Sequence, residues 1–192
     1  MSETKKSTAN ENGAVEESKK ENTRKYLEKY DELVAYMLSQ FSSQEKSILK
    51  TCLGIPVSRA AMEALISFCK VSYGTKGGYW TEKLEAMFFT ACMIAKYDIK
   101  ENGNVPIEQI LKNMYKAKNV TDSTKHKIED MLNTRMDERA CNLKKLAALL
   151  SIINKEEVKK VDLAKLMYDL YNWDSYELLK SSKVKWAQAI IS

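Results

Sequence analysis

Residues 26–54 read YLEKYDELVAYMLSQFSSQEKSILKTCLG, and their apolar side chains recur at the spacing of an α-helix. Tyr26, Leu27, Tyr30, Leu33, Val34, Met37, Leu38 and Phe41 fall three and four apart, which gathers them into one stripe on a 3.6-residue period. Ser42, Ser43, Gln44 and Glu45 then spell a capping box. In that motif the serine oxygen accepts an amide of the first turn while the glutamate reaches back to the cap. A second helix is predicted from there through Ile48, Leu49 and Leu53, ended by Gly54 and the Ile55–Pro56 turn.

The same period continues outward. Ser58 is expected to cap a third helix carrying Met62, Leu65, Ile66, Phe68 and Cys69. Thr81 is expected to cap the most apolar helix, Leu84 to Tyr97, which should be buried on most sides. After the turn at Asn102, Gly103 and Asn104, Pro106 takes the first helical position of a segment from Ile107 to Ala117. Asp122 or Ser123 should cap a helix running to about Asn133, and another spans Asp137 to Ile153 with Leu143, Leu146, Ala147, Leu149 and Leu150 inward. The last stretch carries Val161, Leu163, Leu166, Met167 and Leu170, then Trp173 and Trp186. Six glycines and two prolines in 192 residues are too few for the frequent turns of a β-sandwich or barrel. The expectation is an all-α protein of about nine helices in a compact bundle of two small lobes, 26–102 and 103–192.

Residues 1–25 hold six basic and five acidic side chains and almost nothing apolar, so they are expected to form a disordered tail. They account for +1 of the net charge of +5, leaving +4 for the rest. They lack the apolar core of a secretory signal, and runs such as Leu146–Leu150 fall far short of the roughly 20 residues that cross a bilayer. A soluble, cytoplasmic protein without a membrane partner follows as the expectation.

Little in the chain fits catalysis. Cys52, Cys69, Cys92 and Cys141 form no CxxC pair, and His126 is the single histidine, so neither a metal nor another cofactor is expected. Buried, reduced thiols are. His126 stands between Lys125 and Lys127, unlike a base oriented by a partner. Acidic neighbours such as Glu129–Asp130 and Glu156–Glu157 splay across a helix instead of converging. The glycine cluster from Gly74 to Gly78, with Lys76 at its tip, is not followed by the Gly-Lys-Ser/Thr of a phosphate-binding loop. The expectation is a protein that is not an enzyme.

The basic residues are more informative. Lys112, Lys116, Lys118, Lys125 and Lys127 face only Asp122 in sequence, a local +4 equal to the surplus of the whole chain beyond residue 25. Arg135, Arg139, Lys144 and Lys145 follow. Such a run reads either as a solvated face or as a phosphate-tracking stripe, and lysine suits point-charge contacts better than bidentate base readout. Most aromatics sit in apolar company, as Tyr30, Tyr97 and Tyr168 do; Tyr79, Trp80 and Trp186 are the better base-stacking candidates.

Four segments, read in order, resemble a known family. They are 127–134 (KIEDMLNT), 142–146 (NLKKL), 162–173 (DLAKLMYDLYNW) and 184–188 (VKWAQ), preceded by 49–54 (LKTCLG). Together they are similar to CasB, the small subunit of the type I-E CRISPR surveillance complex Cascade. The resemblance covers the chain from about Tyr26 to its end. It implies a two-lobed helical subunit without catalytic activity, paired with a second copy of itself and seated against other Cascade subunits. It also implies contact with the backbones of crRNA and of target and non-target DNA, so that the displaced strand is held and the R-loop stabilised. Carried over by position, the nucleic-acid-binding residues would be Lys50, Lys127, Lys144, Lys145 and Lys185, with Lys125, Arg135 and Arg59 added from position alone. Leu143 and Leu146 flank the Lys144–Lys145 pair, so one of the two lysines is open to a protein neighbour instead. Lysine replaces arginine at several positions, which weakens any bidentate grip on phosphate. The segment before Tyr26 is not part of the family pattern.

Two other readings remain at this point. Helices at 122–133 and 137–153 could form a helix-turn-helix regulator of duplex DNA, although the connection lacks a glycine and base-reading side chains are few. A protein–protein adaptor with incidental lysines is the other.

Overall fold

The computed structural model describes residues 26–72, 80–134, 139–173, 175 and 181–192. The expected tail at 1–25, the glycine cluster with Lys76, Tyr79 and Arg135 lie outside the described residues, as do the side chains of Trp80, Arg139 and Cys141. The described residues are all-α. They form α1 (26–40), α2 (Ser43–Leu49), a 3₁₀ turn (Val57–Arg59), α3 (Met62–Ser72), α4 (Trp80–Tyr97) and α5 (Ile107–Tyr115). Then come α6 (Asp122–Leu132), α7 (Arg139–Leu150), the single turn α8 (Lys155–Val158), α9 (Leu163–Tyr171) and α10 (Ser182–Ile191).

α4 is the central element. Every residue from 86 to 95 is buried, so this stretch of the helix has no wet face, and the helix packs against α2, α9 and the 3₁₀ turn. The stripe on α1 points inward as the spacing predicts, burying Tyr30, Val34 and Met37, with Phe41 buried just beyond the helix. α10 lies on α5, α6 packs on α7, and α5 meets α6. All the buried apolar residues belong to one cluster. Edge-to-face aromatic pairs tie its layers together: Tyr30 with Tyr168, Phe68 with Phe88, and Trp173 with Trp186 at 5.0 Å. Cys52 and Cys92 are buried as free thiols, and burial holds the Cys92 thiol well above its ordinary pKa.

The capping box at Ser42 is present in full: Glu45 N donates to Ser42 Oγ at 3.3 Å, and Ser42 N donates to Glu45 Oε2 at 2.9 Å. Several other boundaries shift. α2 stops at Leu49 and Lys50 becomes its C-cap, so Leu53 lies in the following turn. Ser58 caps no helix, because Val57–Arg59 winds into the 3₁₀ turn and α3 begins only at Met62. The cause is tertiary: both carboxylate oxygens of Glu85 on α4 accept from Val57 N at 3.1 Å. α4 starts at Trp80, placing Thr81 inside it, and Pro106 is the N-cap of α5 and not its first helical residue. Thr121 caps α6 in place of Asp122 or Ser123, accepting from Thr124 N at 3.3 Å. α7 ends at Leu150, and Asn154 caps α8.

Two glycines are required by close approach. Gly54 has φ +83°, and a Cβ there would sit 2.7 Å from Ala147 Cβ and 3.3 Å from Lys144 Cα. The turn after α2 is thereby seated on α7. Gly103 lies against the backbone of Lys160 and Val161, where Val105 and Val161 form an isolated parallel bridge. Beside it, Asn102 accepts from Leu163 N at 2.7 Å and donates to Asp31 at 3.0 Å, stapling α1 to the start of α9.

Candidate nucleic-acid interface

The segments that carry the family resemblance build a buried polar node. Asp162 caps α9 by accepting from Lys165 N at 2.9 Å. Two helical turns on, Asp169 is only 4% exposed, yet its carboxylate is saturated. It accepts from Trp186 Nε1 at 2.9 Å, Ser182 Oγ at 3.1 Å and Lys165 Nζ at 2.6 Å. Lys165 also pairs with Glu108 of α5 at 2.6 Å. Burial pulls the Lys165 pKa down, but the carboxylates of Asp169 and Glu108 outweigh it and hold the ammonium above the ordinary lysine value. The node locks α5, α9 and α10 together. Trp186, which the sequence offers as a stacking candidate, is 1% exposed and belongs to the core. Its indole N–H needs a buried acceptor, and Asp169 supplies one.

The predicted contact residues fall into two kinds. Lys50, Arg59, Lys127, Lys144 and Lys185 are exposed, on the α2 cap, the 3₁₀ turn, α6, α7 and α10 respectively. Lys125 is half-buried, its Nζ 5.9 Å from the centroid of the Tyr115 ring. Lys145 instead turns onto its own chain, donating to the carbonyl of Asp130 at 3.1 Å and to Thr134 Oγ1 at 3.3 Å. Lys183 joins it, donating to the Thr134 carbonyl at 2.9 Å. Two ammonium groups therefore meet the C-terminal end of α6, where unpaired carbonyls and the helix dipole favour positive charge. Lys144 and Lys145 thus part ways: Lys144 is exposed, and Lys145 bonds to its own chain. Nothing in the sequence singles out Lys183, because its partner lies 49 positions away.

Packing brings several exposed lysines onto neighbouring elements. The Gly54 contact sets the turn following Lys50 against the backbone of Lys144, and α7 in turn packs on α6 with Lys125 and Lys127. Lys185 rides on α10, which crosses α5 and α6. Between α6 and α10 runs an open groove of about 270 Å³ containing Leu132, Val184, Ala187 and Ile191. Its single carboxylate, Glu129, already accepts from Tyr115 Oη at 2.8 Å and contacts His126 Nδ1 at 3.2 Å. Those contacts hold its pKa below the usual range. Among the described residues, no group of three His, Cys, Asp or Glu side chains could hold a metal, and no helix is long and apolar enough to cross a membrane.

Solved structures share this fold. The fold is that of CasB. A CRISPR-associated protein of the Cse2 family from Thermus thermophilus superposes with a TM-score of 0.64, covering 86% of this chain and 97% of its own at 17% identity. A structure of CasB from the same organism gives the same TM-score and coverage at 16% identity. No family model matches the sequence, and no curated protein sequence does.

The split among the lysines is open to a stability test. Lys144→Ala should leave the unfolding free energy within about 0.5 kcal/mol of the parent, as for an exposed side chain away from any such feature. Lys145→Ala should cost about 1–2 kcal/mol, because it removes charge-assisted bonds to a helix end. Urea denaturation of both variants checks this, and equal losses would contradict the assignment.

Proposed function

We propose that this protein is a non-catalytic, cytoplasmic structural subunit of a crRNA-guided type I-E CRISPR antiviral complex. In this reading it sits beside other Cascade subunits and a second copy of itself. It holds the phosphates of crRNA and of target or displaced non-target DNA, and so stabilises the R-loop. The observation that supports this most is the fold likeness, which extends over 86% of the chain and nearly all of each CasB structure. The physical chemistry agrees with it. R-loop formation is a near-balanced exchange of one duplex for another, so a few lysine–phosphate contacts to the freed strand are enough to tip it. Lys50, Arg59, Lys125, Lys127, Lys144 and Lys185 are proposed for those contacts together with Arg135, and Lys145 is proposed as secondary because its ammonium is already engaged.

Purification of the tagged protein from its native cells at low salt, followed by sequencing of the accompanying RNA, tests the assignment. Repeat-derived guide RNAs should copurify with larger subunits; recovery of the protein alone, under conditions that preserve other ribonucleoproteins, would refute it. In the assembled complex, Lys50→Glu with Lys144→Glu should weaken R-loop retention about ten-fold. The slope of log affinity against log salt should flatten by roughly 1.4, about 0.7 for each single-strand phosphate no longer neutralised. An unchanged salt slope would remove these two lysines from the interface.

A further inference from the structure

Asn102 and Gly103 make an Asn–Gly pair, the linkage at which an asparagine side chain is chemically most labile. Glycine has no Cβ to shield its amide nitrogen or to limit how the chain folds back on the preceding side chain. In an open chain the Gly103 nitrogen attacks Asn102 Cγ, a five-membered succinimide closes, and the Cγ–Nδ2 bond breaks. Ammonia leaves, made of the side-chain amide group and the proton of the Gly103 amide. Water then opens the ring, at Cγ to give aspartate or at the main-chain carbonyl to give isoaspartate. The chain itself and water are the only reactants.

The fold removes each condition of that reaction. The Gly103 amide is committed, donating to the Val161 carbonyl at 3.1 Å. Both ends of the Asn102 side chain are held as well: Oδ1 accepts from Leu163 N at 2.7 Å, and Nδ2 donates to Asp31 Oδ1 at 3.0 Å. Gly103 lies so close to the backbone of Lys160 and Val161 that a Cβ would clash there, which leaves the main chain little freedom to turn toward ring closure. The restraints come from α1 and from the junction leading into α9, far along the chain in both directions. Opening of the junction between 102–105 and 160–163 releases them together.

We propose that Asn102–Gly103 is a latent modification site, closed in the folded protein and exposed by local unfolding of this junction, where succinimide chemistry converts Asn102 to aspartate or isoaspartate. The conversion runs one way. Either product puts a carboxylate oxygen where Nδ2 faced Asp31, so a hydrogen bond becomes a like-charge contact. Isoaspartate also adds a carbon to the main chain beside Gly103, where Lys160 and Val161 already crowd it. The staple between α1 and α9 is then lost to the modified chain. The site is independent of any nucleic-acid role.

The test is peptide mapping by mass spectrometry of the full-length protein at mildly alkaline pH, native in one arm and in urea in the other, with aspartate and isoaspartate at position 102 followed over time. The native rate is the open-chain rate multiplied by the open population, so position 102 should react at least about ten-fold more slowly in the native arm. Asn12–Gly13, the other such pair in the sequence, calibrates the open-chain rate in urea, where the two should react alike. Asp31→Ala removes the acceptor of Nδ2 and should speed the native reaction about three- to ten-fold while leaving the rate in urea unchanged. Circular dichroism of that variant shows whether it is folded, and the comparison of the two arms of the parent does not depend on it. When urea is diluted away, chains modified at 102 should be depleted from the fraction that regains resistance to protease. Equal rates in the two arms, a native rate untouched by Asp31→Ala, or equal shares of modified chain in the resistant and sensitive fractions would each overturn the proposal.

Discussion

Asp169→Ala is expected to lower the unfolding free energy by about 3–5 kcal/mol, the cost of breaking a buried ion pair by removing one partner. The carboxylate is the meeting point of Lys165, Ser182 and Trp186, contributed by α9 and α10. Without it Lys165 keeps only Glu108, and the Trp186 indole N–H is left buried without an acceptor. Against a total of about 5–15 kcal/mol for a typical domain this is a large fraction. Chemical denaturation reads it directly, and a loss below about 1 kcal/mol would show that the node contributes little beyond packing. The two tryptophans in contact provide an internal control. Trp173 Nε1 is buried with no hydrogen-bond partner, so Trp186→Phe should cost about 1–3 kcal/mol more than Trp173→Phe. The node also sets a pH signature. The folded pKa of Lys165 is raised, so its contribution is complete below the unfolded value of about 10.4 and fades as pH climbs through the higher folded value. Lys165→Met should abolish that alkaline component.

Gly103→Ala should be nearly as damaging, with a loss of about 3 kcal/mol from overpacking and weakened backbone bonds. The methyl group would overlap the carbonyl of Lys160, which is backbone and cannot swing aside. Three hydrogen bonds hold that junction: Gly103 N to the Val161 carbonyl at 3.1 Å, Val105 N to Lys160 at 3.0 Å, and Asp162 N to Val105 at 2.9 Å. Separating the two segments to admit a methyl group strains all three and displaces the Asp162 cap of α9. For a chain of this length the melting temperature should fall by roughly 6–12 °C, and a shift under about 2 °C would show that the junction relaxes without cost.

Both predictions bear on why the family resemblance is visible in the sequence. Its longest segment, 162–173, together with Trp186, is made of the cap, the buried carboxylate and the paired indoles of one structural node. Those residues are constrained by mutual contact, so they report the fold and say little about what the surface binds. The surface residues obey no such constraint. Lys144 and Lys145 are neighbours of the same type on one helix, and a rotation of about 100° about the helix axis between them sends one to solvent and the other to the end of α6. Trp186 beside Lys185 reads as a stacking ring, and only the packing of α10 on α5, α6 and α9 buries it.

Local chemistry therefore determined the helical class, the capping box at Ser42, the inward stripe of α1 and the burial of α4, because each depends on side chains within a few residues of one another. The tertiary structure decided the rest. Glu85 made a 3₁₀ turn where Ser58 invited a helix cap, across 28 positions of chain. Thr134 and Asp130 drew Lys145 out of the basic face, and Thr134 drew Lys183 as well. Charges act through space on whichever partner packing brings near, so which lysines stay open to a polyanion is a property of the assembled bundle and not of the order in which they occur.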